Sequence, residues 1–196
     1  MKVVVIGASG TIGQAVVTAL GERHEVIRAS RSGEVKVDLS DPKSIRTMYD
    51  IVTNIDAIVC AAGTAAFGPL DQLADDDFAF GLENKLMGQL NLVRYGRICL
   101  GDNASFTLTS GILAHQPGPA TALISVINAG IEVFIKAAAI DMPRGQRVNA
   151  VCPPLVKETA EKLGWGPGGI PAAEVAEFYV QALEGDMNGR SIGPLH

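Results

Sequence analysis

A short buried strand that runs into a glycine-rich turn and then a helix is the feature that most constrains this chain. Residues 3–6 are all β-branched and apolar, as in a strand buried on both faces. Gly7 permits the sharp exit from the strand, Gly10 lets backbone N–H groups approach a pyrophosphate, and Gly13 lets the following helix pack against the sheet. The helix directs its positive N-terminal end at the phosphates. This combination predicts a dinucleotide-binding site.

Length and composition indicate one domain, residues 1–196, with a core of ordinary size. The net charge of −5 argues against nucleic acid as the main partner, because phosphate binding needs clustered Lys and Arg. The three cysteines have no metal-binding spacing, so we expect reduced thiols, no metal and a cytoplasmic protein. No signal peptide is expected before the first strand, and no membrane span, because polar residues interrupt the apolar stretch at 120–140.

Strands and helices alternate along the chain, which predicts an α/β fold: one Rossmann-type domain with a doubly wound parallel sheet and helices on both faces. Predicted strands cover residues 3–6, 25–28, 35–37, 57–60, 105–109, 148–151 and 190–192. Long helices are predicted at about 77–100 and from the loop at 117–119 to residue 142, with a last helix at 172–183.

Several motifs occur in an order that resembles the short-chain dehydrogenase/reductase family over nearly the whole chain. They are the glycine turn, Asp38-Leu39, Ala61-Ala62-Gly63, Asn84, Ser110 and the run from Val148 to Pro153. Ala61-Ala62-Gly63 resembles the family's Asn-Asn-Ala-Gly segment, and Pro154 stands where the family usually has Gly. The resemblance implies a seven-stranded sheet in the order 3-2-1-4-5-6-7. It also implies a homodimer or homotetramer that associates through helices 77–100 and 120–142.

The region after the second strand distinguishes the two nicotinamide cofactors. An acidic residue there binds the ribose 2′-OH of NAD, whereas an arginine accommodates the 2′-phosphate of NADP. The chain has Ser30 and Arg31 and no carboxylate before Glu34, so NADP is favoured over NAD; the alternative is a solvated basic turn. In the resemblance, Asp38 binds the adenine amino group and Leu39 packs on the ring, although Asp38 is also an ordinary turn residue. The expected cofactor-binding residues are Gly7, Ser9, Gly10, Thr11, Ile12, Gly13, Ser30, Arg31, Asp38, Leu39, Ala61, Ala62, Gly63 and Pro153.

Only two of the four catalytic residues that the resemblance implies are present. The family uses a tyrosine to transfer the proton and a lysine four residues later to lower its pKa, together with a serine and an asparagine. Ser110 matches the serine, which in the family positions the substrate oxygen, and Asn84 matches the asparagine, which supports a water relay. Ile124 and Asn128 stand where Tyr and Lys belong, and neither can replace its counterpart chemically. Ordinary carbonyl reduction is therefore expected to be weak or absent.

Substitutes for the missing proton donor are few. His115 would enter the loop over the nicotinamide, although it also suits an exposed loop position. Lys85 lies about 100° round a regular α-helix from Asn84, so it is expected to point outward; Ser125 is displaced similarly from position 124. A substrate that takes its proton from water would need no protein acid.

We therefore expect an NADP-dependent oxidoreductase acting on a small organic substrate through Ser110, Asn84 and His115. The alternative is a catalytically silent NADP-binding sensor or partner subunit. Residues 155–169, which contain Trp165, are short for a substrate-covering loop but could form a mobile lid. The polar residues of helix 120–142 (Ser125, Asn128, Glu132 and Lys136) form one stripe, and the apolar remainder suggests a partner subunit.

Overall fold

The computed structural model describes residues 1–195 and contains seven parallel strands in the order β3-β2-β1-β4-β5-β6-β7. The strands are β1 Lys2–Ile6, β2 Glu25–Ser30, β3 Val35–Lys36, β4 Ala57–Cys60, β5 Ser105–Thr109, β6 Arg147–Val151 and β7 Ser191–Ile192. The helices are α1 Thr11–Gly21, α2 Pro42–Ile51, α3 Asp75–Gly81, α4 Gly88–Cys99, α5 Ala122–Asp141, α6 Lys157–Leu163 and α7 Ala172–Glu184. The predicted fold and strand order are confirmed.

Alternation along the strands divides the core into two layers. In β1, Val3 and Val5 pack with residues of α1 and α7 on one face of the sheet. Val4 and Ile6 face the opposite way and pack with residues of α2, α4 and α5. Successive side chains of a strand point to opposite faces, so a strand covered by helices on both sides must be apolar throughout.

The carboxyl ends of the central strands lie side by side. Ile6 at the end of β1 is paired with Ala29 in β2 and with Cys60 at the end of β4. The chain order reverses at β1, since β2 and β3 lie on one side and β4 to β7 on the other. In open α/β sheets, the crevice outside the carboxyl ends at such a reversal is the place where ligands bind.

The long helical region predicted at 77–100 is not a regular α-helix. Residues Leu82–Met87 between α3 and α4 form a π-helical stretch, in which hydrogen bonds run from residue i to residue i+5. A π-helical turn holds more residues than an α-helical turn, so each residue rotates less about the axis. The one side-chain direction predicted in this stretch, that of Lys85, is wrong, which matters at the site below.

The segment 155–169, expected to be a loop, contains the seven-residue helix α6. The left-handed Gly164 at φ +69° ends this helix. Trp165 then lies edge-on to Phe67, with the ring centroids 5.8 Å apart. The sequence pattern missed α6 because a helix of this length shows little periodicity.

Helix α5 lies within the predicted range 120–142, but it is more apolar than the sequence analysis expected. This 20-residue helix contains an 18-residue window with a mean hydropathy of 1.8, so by length and composition it could cross a membrane. In the fold, however, one of its faces packs into the core through Ile127, Ile131 and Ile135, as in the central helix of a globular domain. The expected polar stripe is also divided, because Asn128 and Glu132 are buried whereas Lys136 is exposed.

Candidate active site

Two cavities open along the carboxyl edge of the sheet, and the first is formed by the glycine turn. This glycine cavity, of about 290 Å³, lies between the ends of β1, β2 and β4. Its lining contains many of the predicted cofactor-binding residues: Gly7, Ser9, Gly10, Ser30, Arg31, Asp38, Leu39, Ala61, Ala62 and Gly63.

The glycine turn adopts the geometry that its sequence requires. Gly7 has a φ of +82°, a conformation that side chains disfavour. A Cβ atom on Gly13 would lie 2.0 Å from the carbonyl oxygen of Gly7, so only glycine allows α1 to start this close to the turn. Gly10 precedes α1 without any side-chain cap, which leaves the first N–H groups of the helix available to an anion.

The walls of the glycine cavity are joined by the side chain of Asn84. Its Nδ2 donates to Ser40 Oγ at 2.8 Å, and its Oδ1 accepts from the backbone N–H of Thr64 at 2.9 Å. Asp38 Oδ1 in turn accepts from the backbone N–H of Ser40 at 2.9 Å, as a turn residue does. Asn84 thus connects the turns after β3 and β4, and its role in a water relay stays a prediction.

One basic side chain, that of Arg31, lines the glycine cavity, and a second, that of Arg28, lines a neighbouring depression. Arg31 lines the cavity beside Ser30, is exposed, and forms no ion pair with any residue from 1 to 195. Arg28 points to the glycine turn, where Nη2 lies 3.4 Å from the carbonyl oxygen of Ala8. The depression that Arg28 lines and the glycine cavity share Ser30.

The second cavity, the apolar cavity, is larger, at about 620 Å³, and continues from the first through Gly63 and Thr64, which line both. Its walls are largely apolar, and Phe67 and Trp165 also line it. Among the residues singled out from the sequence, Ile12, Ser110, Ile124, Asn128 and Pro153 line this cavity. Thr11 instead lines a separate surface depression, and Gly13 packs beneath the glycine turn.

Ser110 belongs to a hydrogen-bond network that sequence reasoning did not identify. Its Oγ donates to Glu132 Oε1 at 2.8 Å, and Glu132 Oε2 is paired with His115 Nε2, also at 2.8 Å. Burial raises the pKa of the Glu132 carboxyl, but hydrogen bonds from Ser110 and Cys152 and the proximity of His115 outweigh it and lower that pKa below its ordinary value. Glu132 is therefore an ionised acceptor near neutral pH. It lies four residues after Asn128 on α5, which was the available sequence signal.

His115 is absent from the apolar cavity's lining and pairs with Glu132 behind Ser110. The expectation that it enters the loop over the nicotinamide is therefore not supported by its position. His115 is exposed, as the alternative interpretation expects of a loop residue, but its ring is paired with the buried Glu132 carboxylate.

One donor atom each from His115, Glu132 and Cys152 lies within 4.8 Å of the others, a set with the donor chemistry of a zinc site. Burial raises the pKa of the Cys152 thiol to about 12, so near neutral pH it is protonated. Because both Glu132 oxygens also hold hydrogen bonds, the geometry favours a hydrogen-bonded network over a metal centre.

Lys85 is the residue that the sequence reading placed wrongly. Its side chain is buried, lines the apolar cavity, and donates from Nζ to the backbone oxygen of Ser110 at 3.3 Å. The expected outward direction assumed the rotation of a regular α-helix, whereas Lys85 lies in the π-helical stretch. Its stem packs against Gly63, where an added Cβ would lie 2.9 Å from Lys85 Cγ.

Asn128 leaves one buried polar atom without a partner. Its Oδ1 accepts no hydrogen bond from residues 1–195, although the residue is only 2% exposed and lines the apolar cavity. A buried unsatisfied acceptor costs free energy unless something donates to it. A ribose hydroxyl of a dinucleotide that extends from the glycine cavity is a donor of the required kind.

The doubly wound sheet and the glycine turn at its reversal point define a dinucleotide-binding protein of the Rossmann type. A family model described as enoyl-(acyl carrier protein) reductase matches residues 2–173. The chain belongs to the short-chain dehydrogenase/reductase family.

Similar solved structures extend over the same length. Protein lin1944 from Listeria innocua is 41% identical, with a TM-score of 0.95, and the match covers 99% of each chain. A small-chain dehydrogenase in complex with NADPH is 26% identical, with a TM-score of 0.87, over 98% of this chain and 95% of that one.

Curated relatives are more distant and longer. A hydroxynaphthalene reductase-like protein from Metarhizium guizhouense is 23% identical over 76% of this chain, and the match spans 59% of that protein. Versicolorin reductase 1 from Aspergillus parasiticus is 27% identical over 78% of this chain and 68% of that protein.

Proposed function

We propose that this protein is an NADPH-dependent reductase of apolar carbonyl compounds, including those with aromatic rings. The observation that carries this proposal is the continuity of the two cavities, which share Gly63 and Thr64. One cavity has the residues to hold a dinucleotide, and the other has room and apolar walls for a substrate. The names of the hydroxynaphthalene and versicolorin reductases support this substrate class.

The residues of both cavities fit the cofactor. The open N-terminus of α1 and the glycine turn suit the pyrophosphate, Leu39 suits the adenine ring, and Asn128 Oδ1 suits a ribose hydroxyl. When bound, the cofactor supplies a hydride. The apolar walls keep water away from the substrate, and Phe67 and Trp165 offer flat faces to an aromatic ring.

The preference for the phosphorylated cofactor rests on Arg31. It lines the glycine cavity beside Ser30 and is free to form charge-assisted hydrogen bonds with a 2′-phosphate. The solved relative that contains NADPH supports a nicotinamide cofactor.

The test is NADPH oxidation with a panel of aromatic ketones, aliphatic ketones and α,β-unsaturated carbonyl compounds. Aromatic ketones should be reduced fastest, and Trp165→Ala should raise their KM without weakening NADPH binding. Leu195→Ala, which changes an exposed leucine outside both cavity linings, is the control. NADPH binding without reduction of any compound would contradict the proposal.

The second candidate is a silent NADP-binding sensor or partner subunit. Two observations favour it: none of the chain's three tyrosines lines the apolar cavity, and the Ser110 hydroxyl donates to Glu132. Tight NADPH binding together with no turnover on the panel would support this candidate.

The assembly is also a proposal. Val126, Val133 and Ile140 on α5 are 63%, 65% and 84% exposed, and their spacing of seven places them along one face of the helix. Ile98 near the end of α4 is 71% exposed. We infer a homodimer or homotetramer that buries these two helices, since exposed apolar patches of this kind mark interaction surfaces.

A further inference from the structure

Lys85 is the only ionisable residue among those lining the apolar cavity, within the part of the chain that the structure describes. Its ammonium group has one hydrogen-bond acceptor, the backbone oxygen of Ser110, and no carboxylate of residues 1–195 pairs with it. A buried cation is costly to keep unless it is paired or has a function. Packing does not require a charged residue at this position, because an apolar residue of similar length would fill the same space.

The other candidate proton donors either lie outside the apolar cavity or have no proton available for the substrate. The Ser110 hydroxyl donates to the ionised Glu132, and His115 is paired with the same carboxylate outside the cavity lining. Tyr49 and Tyr179 are buried in the core, and burial raises the pKa of each phenol well above its ordinary value. The Asn128 amide has no acidic proton near neutral pH.

Burial also gives Lys85 the acidity that proton transfer requires. It lowers the pKa of the ammonium to about 8, and the other titratable groups near it are the thiols of Cys60 and Cys152. Both thiols have a pKa raised to about 12 by burial, so they are neutral near pH 7. Two uncharged side chains on other elements line the cavity near it, the hydroxyl of Ser110 after β5 and the amide of Asn128 on α5. The ionised carboxylate of Glu132, also on α5, is hydrogen-bonded to Ser110 and paired with His115. A general acid is most effective when its pKa lies near the working pH.

We propose that Lys85 donates the proton to the carbonyl oxygen of the substrate, an inference that rests on the reductase function proposed above. The carbonyl carbon accepts the hydride from the cofactor, which is oxidised, and the substrate is reduced to an alcohol. An N–H bond of Lys85 breaks, the proton goes to the oxygen, and the nitrogen keeps the electron pair as a neutral amine. Water then returns a proton to that amine.

The first test compares Lys85→Met with Lys43→Met, which removes an exposed lysine on α2. We expect Lys85→Met to lower kcat by about 10²- to 10⁴-fold, the usual contribution of general acid catalysis, while the NADPH dissociation constant stays within a few-fold. Lys43→Met should resemble the wild type. A wild-type kcat in the folded Lys85→Met protein would overturn the inference and leave the reductase function standing.

The second test uses the pH profile. The wild-type kcat/KM should fall as the pH rises through about 8, because only the protonated ammonium can donate. In Lys85→Arg, which keeps the charge, this fall should disappear, since a guanidinium stays protonated throughout the range. The same fall in both proteins would overturn the inference.

The third test needs no turnover. The side-chain carbon signals of labelled lysines are titrated by NMR with and without NADPH, and Lys85→Arg assigns the signal. A midpoint near 8 that shifts when NADPH binds supports the inference, whereas a midpoint near the ordinary lysine value of about 10.4 overturns it. A wild-type protein that reduces no carbonyl compound on the panel overturns both proposals together.

Discussion

Ser110 Oγ lies 2.8 Å from Glu132 Oε1 and donates its hydrogen bond to that carboxylate. In the family resemblance this hydroxyl positions the substrate oxygen, but here a buried and ionised group holds it. Ser110 can still accept a hydrogen bond from a substrate, although its own proton is directed away. Ser110 therefore does not donate the proton to the substrate, and another residue of the cavity has to do so.

Arg31→Ala should remove most of the preference for NADP(H). Calorimetry of the wild type should show NADPH bound at least about tenfold more tightly than NADH, because a 2′-phosphate gains charge-assisted bonds to the guanidinium. Arg23→Ala, a change at an exposed arginine that pairs with Glu184, is the control for net charge. Equal affinities of the wild type for the two cofactors would contradict the assignment of Arg31.

Glu132→Gln should destabilise the protein by about 1–3 kcal/mol at pH 7, as expected when a buried charged acceptor is lost. Because the folded pKa of Glu132 is below that of the unfolded chain, the ionised form stabilises the fold above the unfolded pKa. This stabilisation is lost as the pH falls through the folded pKa. Urea unfolding should therefore show a difference between wild type and variant that shrinks from pH 7 towards pH 3.

Glu22→Gln changes an exposed glutamate after α1 and provides the matched comparison. It should alter the unfolding free energy by only a few tenths of a kcal/mol at either pH, roughly the effect of a surface substitution. If Glu132→Gln behaved in the same way, the network around Ser110 would contribute nothing to stability.

Val133→Glu should dissociate the assembly. A charge placed in the exposed apolar face of α5 would have to be buried in the inferred interface, which is costly when the charge has no partner. Light scattering at micromolar concentration should show a dimer or tetramer for the wild type and a monomer for the variant. Ile51→Glu changes another exposed isoleucine, at the end of α2, and should leave the mass unchanged. A monomeric wild type would refute the interface.

Ile124→Tyr combined with Asn128→Lys should restore reduction in a Lys85→Met background. Both positions line the apolar cavity, so the new pair would face the same substrate. A tyrosine without the lysine is a poor acid at pH 7, and the lysine without the tyrosine has nothing to activate. The matched control is Ile124→Phe with Asn128→Lys, which lacks only the hydroxyl. Equal activity of the two double variants would show that position 124 does not deliver the proton.

The sheet and the glycine turn were predictable because their signals are local. Four β-branched residues in a row and three glycines at fixed spacing specify a buried strand and a tight turn without reference to the rest of the chain. The order of the motifs carries the family resemblance, and that resemblance implied the strand order, which the structure confirms.

The chemistry of the apolar cavity was less accessible to sequence reasoning. The direction of Lys85 depends on a π-helical stretch that no periodicity predicts, and the pairing of Glu132 with Ser110 joins residues 22 positions apart. Helical periodicity could place Glu132 on the face of Asn128, but not decide whether that face is buried. These features depend on tertiary packing, which overrides local patterns.

The π-helical stretch is followed at once by contacts that fix the position of α4. The Gln89 amide donates to the backbone oxygen of Thr109 at 2.9 Å and accepts from its N–H at 2.7 Å. Gly88 lies so close to Leu39 that an added Cβ would be 2.6 Å from the Leu39 Cβ. The helix therefore cannot slide along its axis to relax the wider turn. The direction of the Lys85 ammonium group is thus set by the number of residues in this stretch, and deleting Leu82 or Glu83 would turn it away without removing a residue from either cavity lining.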